Sequence, residues 1–286
     1  MLKDGKNVDT VNVTDIDEHR LATMMVGREL KDLFPPRHAK IGDVVLKVED
    51  ITNGRRARNI SFEVRSGEVL GISGLIGSGR TETMRAVFGA DRKDSGVVYL
   101  FDKKVHIKKP RHAVRLGMGM LPEDRKAQGV LLNMSVKVNS TLSSINKFSG
   151  LFGWINKKQE TSTVRDLVKK MTVKTTSIDS LVNSLSGGNQ QKVSLIKWLA
   201  SGCNVIILDE PTRGVDIGAK VEIYKVINQL AEEGVALIMI SSEMQEVVGM
   251  SDRIIVMREG KLMGELNGKE ASEQSLINLC MGVACQ

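Results

Sequence analysis

The sequence predicts an α/β fold with a mainly parallel sheet that is covered by helices on both faces. Four short apolar segments have the pattern of buried strands: 69–73, 205–208, 235–240 and 253–257. Helical spacing of apolar residues is found between them, at 192–200 and 219–232. Strands that alternate with helices form parallel sheets. The stretch 135–171 has helical spacing without such strands, which predicts an inserted helical subdomain.

The first strands of the ordered unit are expected after a linker. Residues 31–42 contain a Pro-Pro pair among mixed charges, which is typical of a connecting segment. Alternating polar and apolar residues at 44–49 and 59–64 then predict two strands. A turn at Ser66 and Gly67 leads into the buried strand at 69–73.

The composition is that of a soluble globular protein, with 41% hydrophobic and 26% charged residues in 286. The longest uncharged run, 274–286, is shorter than the roughly 18 residues that a membrane-spanning helix needs. The first residues do not resemble a secretory signal, so the default compartment is the cytosol. Three cysteines are too few for a disulfide framework and are expected to be small core residues: Cys203, Cys280 and Cys285.

A modest excess of basic residues, +7 in formal charge, is compatible with an anionic partner. The densest basic run has no acidic residue and no aromatic residue interleaved for base stacking. We therefore expect a solvated face and no nucleic-acid partner. The run consists of Lys103, Lys104, Lys108, Lys109, Arg111 and Arg115.

A glycine-rich loop follows the strand at 69–73. It fits the phosphate-binding pattern G-x-x-x-x-G-K-[ST] at every fixed position except Arg80, which replaces the lysine. The loop glycines let backbone N–H groups face phosphate oxygens, while a planar guanidinium does not mimic a compact ammonium. We expect nucleotide binding with slow hydrolysis; the alternative is a plain glycine-rich turn. The expected nucleotide contacts are Gly74, Gly77, Ser78, Gly79, Arg80 and Thr81.

The apolar strand at 205–208 ends in two acidic residues. Asp209 can hold Mg²⁺ through water, together with the hydroxyl of Thr81. Glu210 can polarise the water molecule that attacks a phosphoryl group, which makes it the candidate catalytic residue. The alternative, a strand that ends in two solvated carboxylates, is disfavoured by the glycine-rich loop upstream.

The segment 185–192 (LSGGNQQK) opens a helix with Ser186 in the cap position. Gly187 and Gly188 allow backbone amides to face an anion there. Taken alone, the segment is equally well explained as a structural helix start. Its position in the chain, after the glycine-rich loop and before the acidic pair, favours the functional interpretation.

These three motifs resemble those of the ATP-binding cassette of ABC transporters, and the resemblance covers about 44–282. Three further segments resemble the second cassette of the tandem ATPases of ribose- and galactose-type importers. They are PEDR at 122–125, DEPTRGVDIGAK at 209–220 and SSEM at 241–244. The resemblance implies an ABC-type P-loop NTPase cassette with a mainly parallel core sheet, a small antiparallel β subdomain and an inserted helical subdomain. It also implies ATP and Mg²⁺ as cofactors.

Single positions depart from the family pattern. Glu123 replaces the Q-loop glutamine and is expected among the nucleotide-site residues, where it can reach Mg²⁺ or the attacking water. Ser242 replaces the switch histidine, whereas Asp216 matches the D-loop aspartate. Because Arg80 departs as well, we expect slow turnover at this chain's own site. The resemblance implies that an intact signature contacts ATP on an opposite cassette through Ser186, Gly187, Gly188 and Gln190.

The two ends of the chain resemble each other. Segment 2–27 aligns without a gap with 257–282, so that Gly5 meets Gly260. The alternative is two unrelated strand-turn-helix ends. The predicted domains are 1–30 as the tail of a preceding, missing cassette, 31–42 as a linker, 43–266 as the cassette with a helical insert at about 130–195, and 267–286 as a C-terminal helix.

The resemblance implies an ATPase that couples ATP binding and hydrolysis to monosaccharide uptake. Its implied partners are a second cassette, membrane permease subunits and, indirectly, a sugar-binding protein, at the cytoplasmic face of the membrane. The permease is expected to contact a groove near Glu123 and the helical insert. One alternative is a truncated, vestigial fragment; a soluble ABC ATPase of DNA repair or translation is disfavoured because no heptad-bearing insertion is found.

Overall fold

Two sheets surround a continuous apolar core in the part of the chain that the computed structural model describes, residues 2–3, 6–7, 10, 12, 33–150 and 153–282. The strands are β1 (Leu2–Lys3), β2 (Lys6–Asn7), β3 (Val44–Asn53), β4 (Ala57–Arg65), β5 (Val69–Gly74), β6 (Ser95–Leu100), β7 (Lys103–Val105), β8 (Met118–Leu121), β9 (Val205–Asp209), β10 (Ala236–Ile240), β11 (Arg253–Arg258) and β12 (Lys261–Asn267). The helices are α1 (Arg80–Phe88), α2 (Pro110–Arg115), α3 (Val136–Thr141), α4 (Lys157–Lys170), α5 (Gly187–Ala200), α6 (Ile217–Glu232), α7 (Met244–Met250) and α8 (Glu273–Met281).

The core sheet has six strands in the order β12-β11-β5-β10-β9-β8. Its strands pair in parallel from β11 to β8, and β12 is antiparallel at the edge. Every residue of β5, β9 and β10 is buried, which explains their continuous apolar runs. The predicted mainly parallel α/β sheet is confirmed.

The edge strand β8 was not predicted. It has four residues, and one of them is glycine, so its sequence has little strand character. A Cβ atom at Gly119 would lie 2.9 Å from the ring of Trp198 on α5. Close packing of this helix on the sheet therefore requires glycine at this strand position.

The second sheet is antiparallel, with the strand order β4-β3-β6-β7. In β3 and β4 alternate side chains enter the core, as Leu46, Val48, Phe62 and Val64 do. This is the antiparallel β subdomain that the family resemblance implied. Both strands extend beyond the predicted segments at 44–49 and 59–64.

The helical insert lies between β8 and β9 and contains α3 and α4. A π-helical turn, Arg125–Gly129, precedes α3, and the short 3₁₀ turn Ile145–Lys147 lies between α3 and α4. A second 3₁₀ turn, Val182–Ser184, precedes α5. Helix α5 then returns to the core sheet with most of its residues buried. Within the described residues, no helix is both long enough and apolar enough to cross a bilayer.

The basic run at 103–115 lies on β7, α2 and their connection. All six of its basic residues are exposed, in agreement with the predicted solvated face. Two of the three cysteines, Cys203 and Cys280, are buried and unpaired. Cys285 lies outside the described residues.

The described part of the predicted linker, 33–42, has no helix or strand and packs against the core. The ring of Phe34 lies 5.3 Å from that of Tyr224 on α6. Arg37 forms an ion pair with Asp252 at 2.5 Å, and its Nη1 donates to the carbonyl of Met250 at 2.7 Å. This segment is a docked strap along α6.

Only parts of the first 30 residues are described. β1 and β2 pair with Leu2 opposite Asn7 and Lys3 opposite Lys6. The aligned residues at the other end pair in the same register, as 257 with 262 and 258 with 261. The remainder of the predicted preceding tail lies outside the described residues, and the domain assignment stays a prediction.

We predict that Arg37→Ala lowers the free energy of unfolding by about 1–3 kcal/mol, because it leaves partly buried hydrogen-bond acceptors without their donor. Arg111→Ala, at an exposed arginine, is the control and should change it by less than about 0.5 kcal/mol. Urea unfolding of the three chains measures both values. Equal effects of the two substitutions would contradict the docked strap.

Candidate nucleotide site

The loop between β5 and α1 has a backbone that only glycines adopt without strain. Gly74, Gly77 and Gly79 have φ values of 153°, 81° and 95°. A Cβ atom at Gly79 would lie 1.8 Å from the carbonyl oxygen of Arg56, and one at Gly74 would lie 2.4 Å from that of Met257. The loop leads directly into the N-terminus of α1, a position that favours anions. The loop therefore has the backbone conformation expected of the predicted phosphate-binding turn.

Thr81 and Asp209 meet below this loop. The hydroxyl of Thr81 donates to Oδ1 of Asp209 at 3.0 Å. Oδ2 of Asp209 and the hydroxyl of Ser78 are buried and have no hydrogen-bond partner among the described residues. Burial raises the pKa of Asp209 to about 6.

This pair fits the magnesium ion that the sequence predicted. A carboxylate oxygen without a partner beside a hydroxyl is the oxygen donor set that Mg²⁺ prefers. The described residues contain no group of three or more His, Cys, Asp or Glu side chains suited to a metal. Water and phosphate oxygens would therefore have to supply the other ligands, as is usual for Mg²⁺.

Glu210 and Ser242 are in contact, although they come from different strand ends. The hydroxyl of Ser242 donates to Oε2 of Glu210 at 3.1 Å. Glu210 has a φ of 49°, and its backbone N–H donates to the carbonyl of Ile240 at 2.9 Å. Burial raises the pKa of its carboxyl group. The structure thus places the predicted catalytic residue beside the predicted switch position.

Arg80 points below the loop into the protein. Its side chain is buried, and its Nη1 donates to the carbonyl of Ser241 at 2.7 Å. Burial lowers the pKa of its guanidinium, while the charges of Glu210 and Asp209 raise it. The guanidinium of Arg80 therefore lies at the end of β10, where one of its N–H groups is bonded to the backbone.

Glu123 is exposed and forms an ion pair with Arg213, in the segment that leads to Asp216. Nη1 of Arg125 donates to the carbonyl of Arg213 at 2.8 Å, and Nη2 donates to that of Gly214 at 3.3 Å. The segment around Glu123 is therefore joined to the D-loop segment. Sequence reasoning missed Arg125 and Arg213, although both occur in the quoted motifs.

Asp216 caps helix α6. Its Oδ1 accepts from the backbone N–H of Ala219 at 3.0 Å. The residue is exposed, so the cap leaves its second carboxylate oxygen open to solvent. This gives the predicted D-loop aspartate a structural role in addition to any contact with a partner.

The signature serine stands at the N-cap of α5 but makes no cap bond with its side chain. The hydroxyl of Ser186 instead accepts from Nδ2 of Asn189 at 2.9 Å. Close packing favours glycine at position 188, where a Cβ atom would lie 2.6 Å from Cβ of Ala219. At Gly187 the nearest atom is Nη2 of Arg125, at 2.8 Å from such a Cβ atom. The expected cap position is confirmed.

Gln190 is turned into the protein. Its Nε2 donates to the carbonyls of Leu185 at 3.0 Å and Val182 at 3.3 Å. It therefore holds the loop that precedes Ser186. The predicted contact of Gln190 with nucleotide would require it to leave these bonds.

Glu246 was not predicted as a site residue, and it bonds to residues that follow β9 and β10. It is buried and accepts from the hydroxyls of Thr212, at 2.9 Å, and Ser241. Burial raises the pKa of this carboxyl group. The sequence shows only a glutamate in the first turn of a short helix, which is an ordinary exposed position.

Lys197 is a buried cation on the signature helix. Its Nζ donates to the carbonyl of Gly129 at 2.7 Å and lies 4.6 Å from the ring centroid of Trp198. Burial lowers the pKa of this lysine to about 8. The bond joins α5 to the end of the π-helical turn that follows Glu123.

The fold and the glycine-rich site define a P-loop nucleotide-binding cassette. A family described as "ABC transporter" matches residues 57–213, and the chain belongs to this family. It is 49% identical over 99% of its length to a ribose import ATP-binding protein RbsA of Bacillus licheniformis, and 48% identical over 97% to one of Clostridium tetani. The chain spans only 57% and 55% of these relatives, about half their length.

Solved structures agree with the fold. A nucleotide-free ATP-binding cassette from an ABC transporter superposes with a TM-score of 0.71 at 23% identity, covering 84% of this chain and 96% of that one. The ADP conformation of another cassette gives 0.66 at 22% identity, covering 84% and 95%. At this level of identity the likeness establishes the architecture.

We predict that Lys197→Met makes stability less dependent on pH in alkaline solution. The folded pKa, about 8, lies below the unfolded value of about 10.4, so the unfolded chain binds more protons between these values. The free energy of unfolding of the wild type should therefore rise relative to that of the variant between about pH 8 and 10, by about 2 kcal/mol. Urea unfolding of both chains at three pH values measures this difference. If the difference does not change with pH, the lowered pKa of Lys197 is refuted.

Proposed function

We propose that this chain is the ATP-binding half of a monosaccharide ABC importer ATPase. The observation that carries the proposal is the Thr81–Asp209 pair with its buried unpartnered oxygen below a strained glycine loop. The names of the relatives support ribose-type sugars as the transported class. Their greater length supports a second cassette as the direct partner.

In its own site this chain would bind Mg-ATP through the loop amides, Thr81 and Asp209. The magnesium ion would neutralise phosphate charge and stabilise the charge that develops in phosphoryl transfer. Glu210 would orient the attacking water molecule while its carboxylate accepts from Ser242. Arg80 supplies positive charge from below, but its bond to Ser241 limits its reach towards a γ-phosphate. Slow turnover at this site follows.

In the partner's site this chain would contribute its signature. Ser186 is exposed at the start of the 14-residue helix α5, whose first N–H groups have no partner within the helix. These groups favour an anion such as the γ-phosphate of ATP bound to an opposing loop. The proposal is therefore asymmetric, with fast hydrolysis at the partner's loop and slow hydrolysis at this one.

An apolar patch on the helical insert is the proposed contact with the permease. Met134, Val138 and Leu142 follow each other at helical spacing around α3, and between 37% and 49% of each is exposed. Leu131 and Leu181, beside them, are 46% and 47% exposed. Exposed apolar side chains gathered in this way are typical of protein interfaces. Docking there would place the chain at the cytoplasmic face of the membrane, with a sugar-binding protein acting through the permease.

We predict that the chain mixed with a cassette carrying an intact G-x-x-x-x-G-K-[ST] loop hydrolyses Mg-ATP far faster than either chain alone. Ser186→Arg should reduce turnover of the mixture about 100-fold, because it removes a phosphate donor and blocks the interface. Glu210→Gln should reduce it less than about threefold, since Glu210 serves the slow site. Steady-state phosphate release measures all rates.

Two outcomes would contradict this asymmetry. Rapid hydrolysis by the isolated chain that survives Ser186→Arg would show a self-sufficient site. A loss with Glu210→Gln as large as that with Ser186→Arg would show that both sites turn over. Absence of Mg-ATP binding and turnover in every mixture would instead favour a vestigial fragment.

A further inference from the structure

The side chain of Asn189 connects the signature serine to the loop after α4. Asn189 lies in the first turn of α5, three positions after Ser186, and is 9% exposed. Its Oδ1 accepts from the backbone N–H of Lys174 at 2.9 Å, and its Nδ2 donates to Oγ of Ser186 at 2.9 Å. Both polar atoms of the amide are therefore engaged.

The bond to Lys174 fixes which way the amide of Asn189 faces. A backbone N–H can only donate, so the atom opposite it must be the carbonyl oxygen of the amide. The NH₂ group consequently faces Ser186, and because NH₂ can only donate, Oγ of Ser186 must accept. The orientation follows from hydrogen-bond chemistry.

This constraint excludes one direction for the hydroxyl proton of Ser186. The hydroxyl carries one proton and cannot direct it at the NH₂ group. Its side chain makes no cap bond with the helix backbone. Since Ser186 is exposed, its proton is available to an acceptor outside this cassette.

We propose that Asn189 is a positioning residue that turns the Ser186 hydroxyl outward, so that it donates to a phosphate oxygen of nucleotide held by the partner cassette. This inference rests on the proposed function, in which the signature acts on the partner's site. Asn189 does not touch the phosphate; it presets the serine as a donor before the cassettes meet. Preset donors cost no reorganisation when charge develops.

The geometry accepts asparagine and rejects its nearest analogues. Aspartate keeps the shape and can still accept from Lys174, but its second oxygen accepts instead of donating. The Ser186 hydroxyl would then donate inward, and its lone pairs would face the anion. Glutamine has one more methylene group, and its amide would be displaced from both partners.

The test is a double-mutant cycle in the mixture with the cassette carrying an intact G-x-x-x-x-G-K-[ST] loop. Asn189→Asp should lower kcat/KM for Mg-ATP about tenfold or more, as much as Ser186→Ala does. In the Ser186→Ala background, Asn189→Asp should change it less than about twofold, because no hydroxyl remains to be turned. Thermal unfolding of each variant reports separately on the fold.

The outcomes separate this inference from the function on which it rests. If Asn189→Asp lowers kcat/KM as much in the Ser186→Ala background as in the wild type, the substitution acts through charge or folding. That result would overturn the inference. An Asn189→Asp chain with wild-type activity would overturn it as well. If the wild-type mixture does not hydrolyse Mg-ATP, the proposed function fails and the inference fails with it.

Discussion

The parallel register of β5, β10 and β9 is the constraint on which the candidate site depends. Ile240 lies opposite Ile72 on one side and Asp209 on the other, so the three strands end at one edge. The glycine loop, the acidic pair and the switch serine each lie at the end of one of these strands. Pairing of apolar strands thus brings together polar groups that are far apart in the sequence.

The positions that depart from the family pattern have partners within this cassette. Arg80 is bound to the carbonyl of Ser241, Ser242 donates to Glu210, and Glu123 pairs with Arg213. Each of these side chains is therefore already bonded within this cassette. The signature residue Ser186 differs in its hydroxyl proton. Its oxygen accepts from Asn189, which leaves the proton for an acceptor outside this cassette, whereas the proton of Ser242 is donated to Glu210. This contrast supports the proposal that the cassette acts mainly on its partner.

Much of this arrangement could be predicted from the sequence because it depends on local patterns. Continuous apolar runs identified β5, β9, β10 and β11, and glycine spacing identified the phosphate loop. The strand β8 has too few residues for a pattern, and its place depends on contact between Gly119 and Trp198. The docking of Arg37 on Asp252 joins residues more than 200 positions apart, and no local signal indicates it. The contact of Asn189 with Ser186 is local, but the amide's orientation depends on Lys174 from another loop.

The chemical state of nucleotide held by the isolated chain tests the central claim most directly. The chain would be incubated with Mg²⁺ and ATP labelled on the γ-phosphate, separated quickly from free nucleotide, and its bound nucleotide identified over time. A slow site predicts that intact ATP stays bound for many minutes after separation. Bound ADP at the earliest time, with the label released, would contradict the account.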